Sequence, residues 1–504
     1  MTDETKPEEK KEKNGKEPQD NLVSTQHSVT IGGKEIKYTV TTGTMVLKEE
    51  SEKGGDAKNE NEGYKPKAEI FFTAYTLERD ESIPGAEHRR TRPLTFAFNG
   101  GPGSSSVWLH LGVLGPRRVE MGDAGELLPP PYRLIDNDYS LLDSTDLVFI
   151  DPVTTGYSRA VEGENPKQFH NFKKDIASVG DFIRLYTTRY NRWVSPKYLA
   201  GESYGTTRSA GLSGYLQERH GMYLNGILLI SSVLNFQTIL FRPGNDLPYI
   251  VYIPSYAASA WYHNRLDTDL QKDLHATLKQ AEDFAINEYA PALLKGDAMS
   301  AEERANIATK LARYTGLSTD YIEQTNLRPE IIRFTKELQR DARRTTGRLD
   351  SRFTGIDRDS AGEYWEHDPS MSAIMGPYTA TFYDYMRTEL NYENDLPYEI
   401  LSRRVHPWGY QNVENEYLNV AETLRKAMSM NTFLKVFIAN GYYDLATPYF
   451  ATQYTFNQME LDESLRDNYT MTFYEAGHMM YVHIPSLAQL KDDMAKFIES
   501  STNL

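Results

Sequence analysis

Short apolar segments alternate with amphipathic helical segments in the middle of this chain, and this alternation restricts the folds open to it. DLVFID (146–151) has the length and apolar content of a buried strand, and apolar side chains follow at helical spacing over residues 169–190. A strand is predicted next over 197–200, then a helix to about residue 219, then a strand over 224–233. Strands that alternate with helices favour a mostly parallel sheet covered by helices on both faces. We therefore predict the α/β fold class.

The N-terminal part has a different pattern. Residues 1–26 are charged and poor in apolar side chains, which predicts a disordered tail. Two alternating segments then flank the Gly32-Gly33 pair, which is typical of a two-residue β-hairpin. The polar stretch 48–67 is predicted to be a loop, and strands are predicted over 68–77 and 93–98.

Strand patterns stop between residues 236 and 409, where helical patterns such as AEERANIATKLARY (301–314) replace them. Strands are predicted again over 433–440 and 469–477, and an amphipathic helix over 486–500 closes the chain. We therefore divide the chain into the tail, a first part of the α/β core (27–235), a helical insertion (236–409) and a second part of the core (410–504).

Composition excludes several classes of function. The net charge of −16 argues against a surface that neutralises nucleic-acid phosphates. The absence of cysteine excludes disulfides, thiolate zinc sites and a cysteine nucleophile. Clusters such as WEHD (365–368) lack metal-ligand spacing, so we expect no metal. No run of about 18 apolar residues occurs, so we expect no membrane span.

The first residues, MTDETKPEEKKEKNGKEPQD, lack the apolar segment of a signal peptide. As written, the sequence therefore predicts a cytoplasmic protein. A periplasmic or secreted protein is expected instead if an export signal has been trimmed from the chain. We expect a monomer or a homodimer.

A serine lies between two glycines in YLAGESYGTTRSAGLSGYL (198–216), at the junction of a predicted strand and a predicted helix. Glycines on both sides allow a sharp, crowded turn that would project the Ser203 hydroxyl at the carboxyl end of the sheet. Ser203 is therefore a candidate nucleophile. The alternative is a serine that only caps the helix.

A serine nucleophile requires a base and a group that orients this base. On this type of sheet the chain order is Ser, acid, His. Asp444 follows the strand FLKVFIAN, and His478 follows the strand YTMTFYEAG just before the final helix. His483 is a competing base, and Glu475 and Asp462 are competing acids.

The glycine-rich turn FNGGPGSSS (98–106) follows the strand PLTFAF. Acyl transfer passes through an oxyanion that backbone N–H groups must stabilise, and glycines let a backbone approach the substrate closely. The alternatives are a phosphate-binding loop or a simple turn. The absence of a lysine after the glycines argues against a nucleotide loop.

FNGGPGSSS, DLVFIDPVTTGYS, GESYG, NGYYDLATP and EAGHMMY occur in an order that resembles the serine carboxypeptidase family of α/β-hydrolases. The resemblance covers residues from about 94 to 483. It implies an α/β-hydrolase fold, with a central mixed sheet between helices and a helical cap inserted before the late strands.

The resemblance also implies roles for individual residues. Ser203 would be the nucleophile, His478 the general base and acid, and Asp444 the orienting carboxylate. Backbone N–H groups of Gly101 and Tyr204 would form the oxyanion hole. The substrate's terminal carboxyl group would be held by three residues, Asn99, Gly100 and Glu202.

The expected function is release of C-terminal residues from peptides through an acyl-enzyme, with no cofactor. Ala97 and Val113 stand where the family usually has a tryptophan and an acidic residue. These departures leave open an esterase, an amidase or an acyltransferase on the same scaffold, with a small acyl substrate. A catalytically inactive binding protein is the remaining alternative.

Overall fold

The computed structural model describes residues 17–51, 63–78, 85–410, 413 and 415–502. Its strands, in chain order, are β1 (Asn21–Ile31), β2 (Lys34–Ser51), β3 (Gly63–Leu77), β4 (Leu94–Phe98), β5 (Arg117–Val119), β6 (Leu134–Asp136), β7 (Asp146–Ile150), β8 (Arg159–Ala160), β9 (Lys197–Ser203), β10 (Gly226–Ser232), β11 (Thr345–Thr346), β12 (Thr354–Gly355), β13 (Lys435–Gly441) and β14 (Tyr469–Tyr474).

The α-helices are α1 (Gly85–Thr91), α2 (Val107–Leu109), α3 (Phe172–Arg189), α4 (Tyr204–His220), α5 (Leu247–Val251), α6 (Ile253–Tyr262), α7 (Leu274–Phe284), α8 (Ala290–Lys295), α9 (Ala301–Thr315), α10 (Thr319–Gln324), α11 (Ile331–Glu337), α12 (Pro369–Thr388), α13 (Ala421–Met430), α14 (Tyr449–Asn457) and α15 (Ile484–Thr502). Two π-helical turns cover His110–Leu114 and Ala285–Tyr289. Short 3-10 turns cover Leu141–Asp143, Pro166–Phe169, Phe236–Thr238, Leu270–Lys272, Gly296–Ala298, Arg403–Val405, Glu463–Asn468 and Met480–Val482.

The main sheet has the strand order β1-β2-β3-β7-β4-β9-β10-β13-β14, with β8 paired to β3. Strands β1, β2, β3 and β7 pair antiparallel, whereas β7, β4, β9, β10, β13 and β14 pair parallel. The predicted central, mostly parallel mixed sheet flanked by helices is confirmed. Because the carboxyl ends of the parallel strands meet at one edge, the loops after β4, β9, β13 and β14 converge there.

Each face of the sheet supports its own apolar core. One core joins the sheet to α2, α12 and α15, and the other joins it to α3, α4 and α13. Helices α5–α11 form a third core with α14, which follows β13. Helix α12 lies within the segment predicted as a cap, yet Tyr378, Phe382 and Tyr385 pack into the first core. Part of that segment therefore covers the sheet directly.

The N-terminal predictions are confirmed in part. Ile31 pairs with Lys34 across Gly32 and Gly33, whose φ values of 57° and 78° suit the predicted hairpin turn. The prediction of a disordered tail over 1–26 is wrong from Asn21, where β1 begins, while residues 1–16 lie outside the described residues. The whole length of β1 pairs with β2, which offsets its scarcity of apolar side chains.

The loop predicted over 48–67 is also too long. Strand β2 continues to Ser51 and β3 starts at Gly63, because the two strands stay paired beyond the apolar stretch. Residues 52–62 of this predicted loop lie outside the described residues. None of the helices described in this structure is long and apolar enough to cross a membrane.

Candidate active site

Ser203 lies at the junction of β9 and α4 in a strained conformation. Its φ is 60° and its ψ is −129°, a combination that L-residues rarely adopt. A Cβ at position 201 would lie 2.1 Å from the Gly205 carbonyl oxygen, and one at position 205 would lie 2.7 Å from the Phe98 carbonyl oxygen. Both flanking glycines are therefore required by the close approach of backbone segments.

The Ser203 side chain makes no capping hydrogen bond to α4 among the described residues, so the capping alternative is not supported. Ser203 instead lines a cavity of about 580 Å³ at the carboxyl edge of the sheet. His478, Glu202 and Gly101 line the same cavity. The turn thus presents the serine to a space that can hold a small substrate.

Asp444 and His478 form a buried pair. Asp444 Oδ2 lies 2.7 Å from His478 Nδ1, and Asp444 is fully buried. The carboxylate also accepts hydrogen bonds from the Ala446 and Thr447 backbone N–H groups and from the Thr447 hydroxyl. Because an ionised carboxylate only accepts, Nδ1 carries the proton and Nε2 keeps a lone pair.

Hydrogen bonds on both sides hold the main chain of His478 in place. The His478 N–H donates to the Leu349 carbonyl oxygen at 2.6 Å, and its own carbonyl accepts from the Ser231 hydroxyl at 2.5 Å. Burial lowers the pKa of His478, but the charge and hydrogen bond of Asp444, together with the charge of Glu202, raise it above its usual value. The imidazole is thus more basic than a free histidine.

The competing candidates lie elsewhere. His483 bonds to the Ser486 hydroxyl at 2.8 Å, next to the start of α15. Asp462 accepts from Ser464 N at the start of a 3-10 turn. Glu475 is exposed and lies 3.7 Å from His275. The structure therefore brings Asp444 to His478 and gives these three side chains other partners.

Replacing Asp444 by asparagine is expected to lower kcat by about 10⁴-fold on any substrate that the site turns over. An amide can donate to Nδ1, which would hold the imidazole in the tautomer whose Nε2 bears the proton. Steady-state kinetics with an activated ester checks this. The control is Asp462→Asn, and comparable losses in both variants would contradict the assignment of Asp444.

The glycine loop (98–106) packs directly against the turn at Ser203. A Cβ at Gly100 would lie only 2.3 Å from the Tyr204 amide nitrogen, and Gly101 has a φ of 106°. Gly100, Gly101 and Tyr204 all line the cavity beside Ser203. Backbone amides of two separate segments are thereby brought close to the serine, as an oxyanion hole requires.

Glu202, which precedes Ser203, is a buried carboxyl group with few partners. Its Oε2 accepts a hydrogen bond of 2.6 Å from the Tyr481 hydroxyl. Burial raises the pKa of Glu202 to about 7, although the charge of His478 and the Tyr481 hydrogen bond lower it. The Asn99 side chain lies close enough to lower this pKa slightly, yet its buried Nδ2 has no well-formed hydrogen bond to a described residue.

Several supporting residues were missed in the sequence. Arg208 pairs with Asp175 at 2.9 Å and donates to the Asn99 carbonyl oxygen at 2.5 Å, which ties α4 to the glycine loop. Asp151 accepts from both the backbone and the hydroxyl of Ser106 at 2.8 Å. Tyr481 is the last residue of the motif EAGHMMY. Its closeness to His478 in the sequence was the one signal from which a supporting role could have been predicted.

The described residues contain no group of three or more histidine, aspartate or glutamate side chains arranged to hold a metal ion.

Comparisons with known proteins agree with one another. The sequence profile described as serine carboxypeptidase matches residues 64–484. "Serine carboxypeptidase-like 36" of Arabidopsis thaliana is 31% identical over 153 residues, which cover 29% of this chain and 29% of that protein. The chain thus aligns with less than a third of the length of this curated relative.

A solved structure of a protein from Saccharomyces cerevisiae has a similar fold. Kex1Δp, described as a prohormone-processing carboxypeptidase, superposes with a TM-score of 0.53 at 16% identity. The superposition covers 92% of this chain and 91% of that one. At this identity the likeness concerns the fold alone. The profile match, which extends over most of the chain, shows that the chain belongs to the serine carboxypeptidase family.

Proposed function

We propose that this protein is a serine carboxypeptidase that releases C-terminal residues from peptides through an acyl-enzyme intermediate. The observation that carries the proposal is the carboxyl group of Glu202, which lies beside Ser203 with a pKa raised to about 7. A carboxyl group that keeps its proton near neutral pH can share it with the terminal carboxylate of a peptide. The buried Asn99 Nδ2, which has no well-formed hydrogen bond to a described residue, supplies a second donor for the same carboxylate.

The proposed reaction uses the buried pair in two steps. His478 Nε2 takes the proton of the Ser203 hydroxyl as Oγ attacks the scissile carbonyl carbon, and Asp444 stabilises the imidazolium that forms. Backbone N–H groups of Gly101 and Tyr204 receive the oxyanion. The imidazolium then protonates the leaving amine, the C–N bond breaks, and Ser203 retains the acyl group.

Water completes the cycle. His478 takes a proton from water, the resulting hydroxide attacks the acyl carbon, and the Ser203 oxygen leaves with the proton that His478 returns. Asn99, Gly100 and Glu202 hold the terminal carboxylate during the first step. All residues with a proposed role belong to one chain, so a monomer suffices, and a homodimer would leave the site complete. A cytoplasmic location stays a prediction.

The dependence on pH follows from the signs of the two pKa shifts. Below about pH 7 Glu202 is protonated and donates to the terminal carboxylate, whereas above it the charged group repels that carboxylate. We therefore expect KM for a blocked dipeptide with a free C-terminus to rise with pH through about 7. The raised pKa of His478 causes the loss of activity at low pH, because a protonated imidazole cannot act as a base.

The test compares the blocked dipeptide acid, its C-terminal amide and its ethyl ester from pH 4 to 9, in the native enzyme and in Glu202→Gln. The native enzyme should prefer the acid below pH 7. The variant should lose the rise of KM with pH for the acid, since its side chain does not titrate. Glu282→Gln, a substitution in the helical insertion, is the control.

Cleavage of the amide or ester as fast as the acid at every pH would contradict the exopeptidase assignment. It would favour the esterase, amidase or acyltransferase that the sequence left open. Ala97 and Val113, which suggested that alternative, are both fully buried and do not line the cavity. The departures from the family pattern at these positions therefore leave the residues around Ser203 in place.

A further inference from the structure

The cavity beside Ser203 carries a charge opposite to that of the protein. The chain has a net charge of −16, yet Arg348, Arg403 and His406 line the cavity. Glu202 is the one carboxyl group among the described residues that line it. Because burial holds the pKa of Glu202 at about 7, this group is largely uncharged in mildly acidic solution. Two permanent positive charges therefore dominate the walls.

Arg348 reaches the cavity from the side of the catalytic histidine. It lies between β11 and β12, and its carbonyl oxygen accepts from Leu445 N at 3.0 Å. The neighbouring Leu349 carbonyl accepts from His478 N, and the charge of Arg348 lowers the pKa of His478. Half-buried Arg348 has no carboxylate partner in the described part of the chain. By contrast, Arg352 on the same loop pairs with Asp350 at 2.6 Å.

Arg403 reaches the cavity from the side of the glycine loop. The preceding residue, Ser402, donates its N–H to the Gly103 carbonyl oxygen at 2.7 Å, which fixes this turn beside the predicted oxyanion hole. Within the described ranges no carboxylate lies within ion-pair distance of the Arg403 guanidinium. The adjacent Arg404 lies 3.7 Å from Glu399 and does not line the cavity. Of these two consecutive arginines, the one that lines the cavity has no carboxylate partner among the described residues.

Arg348 is half-buried, so its guanidinium has lost part of its water and gains most from a ligand carboxylate. Arg403 is exposed and adds a positive charge that water partly screens. The remaining walls are largely apolar, with Phe236, Ile239 and Ile374 among them, so they favour the hydrocarbon part of a side chain. A lysine or arginine of a substrate would instead meet like charge. The arrangement attracts acidic side chains and repels basic ones.

We propose that the cavity selects peptides with an acidic side chain, aspartate or glutamate, at one of the two residues that flank the scissile bond. Arg348 and Arg403 determine this specificity. The inference rests on the proposed peptidase function and names its substrate class. It concerns a side-chain carboxylate, separate from the terminal carboxylate that Asn99 and Glu202 hold.

The test uses isosteric pairs of blocked dipeptides, with glutamate or glutamine either before or after the scissile bond, and lysine as the opposite charge. At pH 6 the glutamate side chain is ionised. We expect kcat/KM for the glutamate peptide to exceed that for glutamine about tenfold at one of the two positions, with lysine lowest. Raising the salt concentration should reduce the ratio, because exposed charges are screened.

The variants Arg348→Gln and Arg403→Gln identify which arginine is responsible for the preference for glutamate over glutamine. The measured quantity is the glutamate-to-glutamine ratio within each variant, so a general loss of activity cancels. At least one variant should bring the ratio down to about one at the selective position. Arg404→Gln is the matched control, and it should retain both the ratio and the activity of the native enzyme.

A native ratio near one at both positions would overturn the inference, as would a ratio that both arginine variants retain. Failure of the proposed peptidase function can be distinguished from failure of this specificity inference. If free acids are not hydrolysed, the same ratio is measured with esters and amides of the same compounds. If no substrate turns over, calorimetric binding of the glutamate and glutamine peptides to Ser203→Ala decides the inference.

Discussion

Replacement of Ser203 by alanine is expected to lower kcat by about 10⁵- to 10⁶-fold, one of the two largest effects expected of a single substitution in this chain. In a serine hydrolase the nucleophile and its base act as a unit, so removal of either abolishes the covalent route. The residual rate would come from the oxyanion hole and substrate binding alone. Hydrolysis of the blocked dipeptide acid under single-turnover conditions measures this loss.

The substitution should leave the fold intact. The Ser203 side chain makes no capping hydrogen bond within the part of the chain that the structure describes, so α4 loses no cap. Alanine, like serine, is strained at a φ of 60°, and the surrounding structure holds this turn in place. Circular dichroism and thermal unfolding of the variant should match those of the native protein.

Ser213→Ala is the control because Ser213 lies on the same helix and, among the described residues, its hydroxyl donates only to the Ala210 carbonyl oxygen. It should keep full activity. A serine-reactive phosphonate should label the native protein at Ser203 and should leave the Ser203→Ala variant unlabelled. Labelling at a different serine, or a fall in kcat of less than tenfold in Ser203→Ala, would contradict the assignment and revive the inactive binding protein as an interpretation.

Replacement of His478 by glutamine is expected to lower kcat by a similar 10⁵- to 10⁶-fold. Glutamine can occupy the volume of the ring, but it cannot accept the Ser203 proton at neutral pH. The rise of activity through the titration of the imidazole should disappear in the variant. The pH profile of ester hydrolysis measures this effect separately from substrate binding by Glu202.

His483→Gln is the matched control, since the two histidines lie five residues apart in the chain. His483 bonds to Ser486 and does not line the cavity, so this variant should keep kcat within about threefold of the native value. Equal losses in the two variants would show that the whole loop, and no individual imidazole, supports activity. A larger loss in His483→Gln would reverse the assignment.

The active-site candidates could be predicted because each belongs to a local pattern. Ser203 stands in a strand–turn–helix junction, and Asp444 and His478 each follow a predicted strand. Strands β13 and β14 pair parallel, so their carboxyl ends, and the residues after them, must meet. The 2.7 Å contact between Asp444 and His478 is the product of that topology.

Predictions that used local composition alone were less accurate. The first strand begins at Asn21 inside the predicted tail, since its stability comes from eleven residues paired with β2. The sequence pattern of α12 predicts part of a helical insertion, yet the aromatic side chains of this helix pack into the core on one face of the sheet. Both differences depend on partners that lie far away in the sequence.

Residue patterns thus decided the fold class and the sharp turn at Ser203, because periodicity and glycine sterics act over a few neighbouring residues. Tertiary structure alone decided the chemistry around that turn. The pKa of Glu202, raised to about 7, depends on its burial and on Tyr481, and the positive cavity depends on Arg348 and Arg403. Burial and Coulomb interactions depend on distances between segments remote in sequence, and only the packed chain sets those distances.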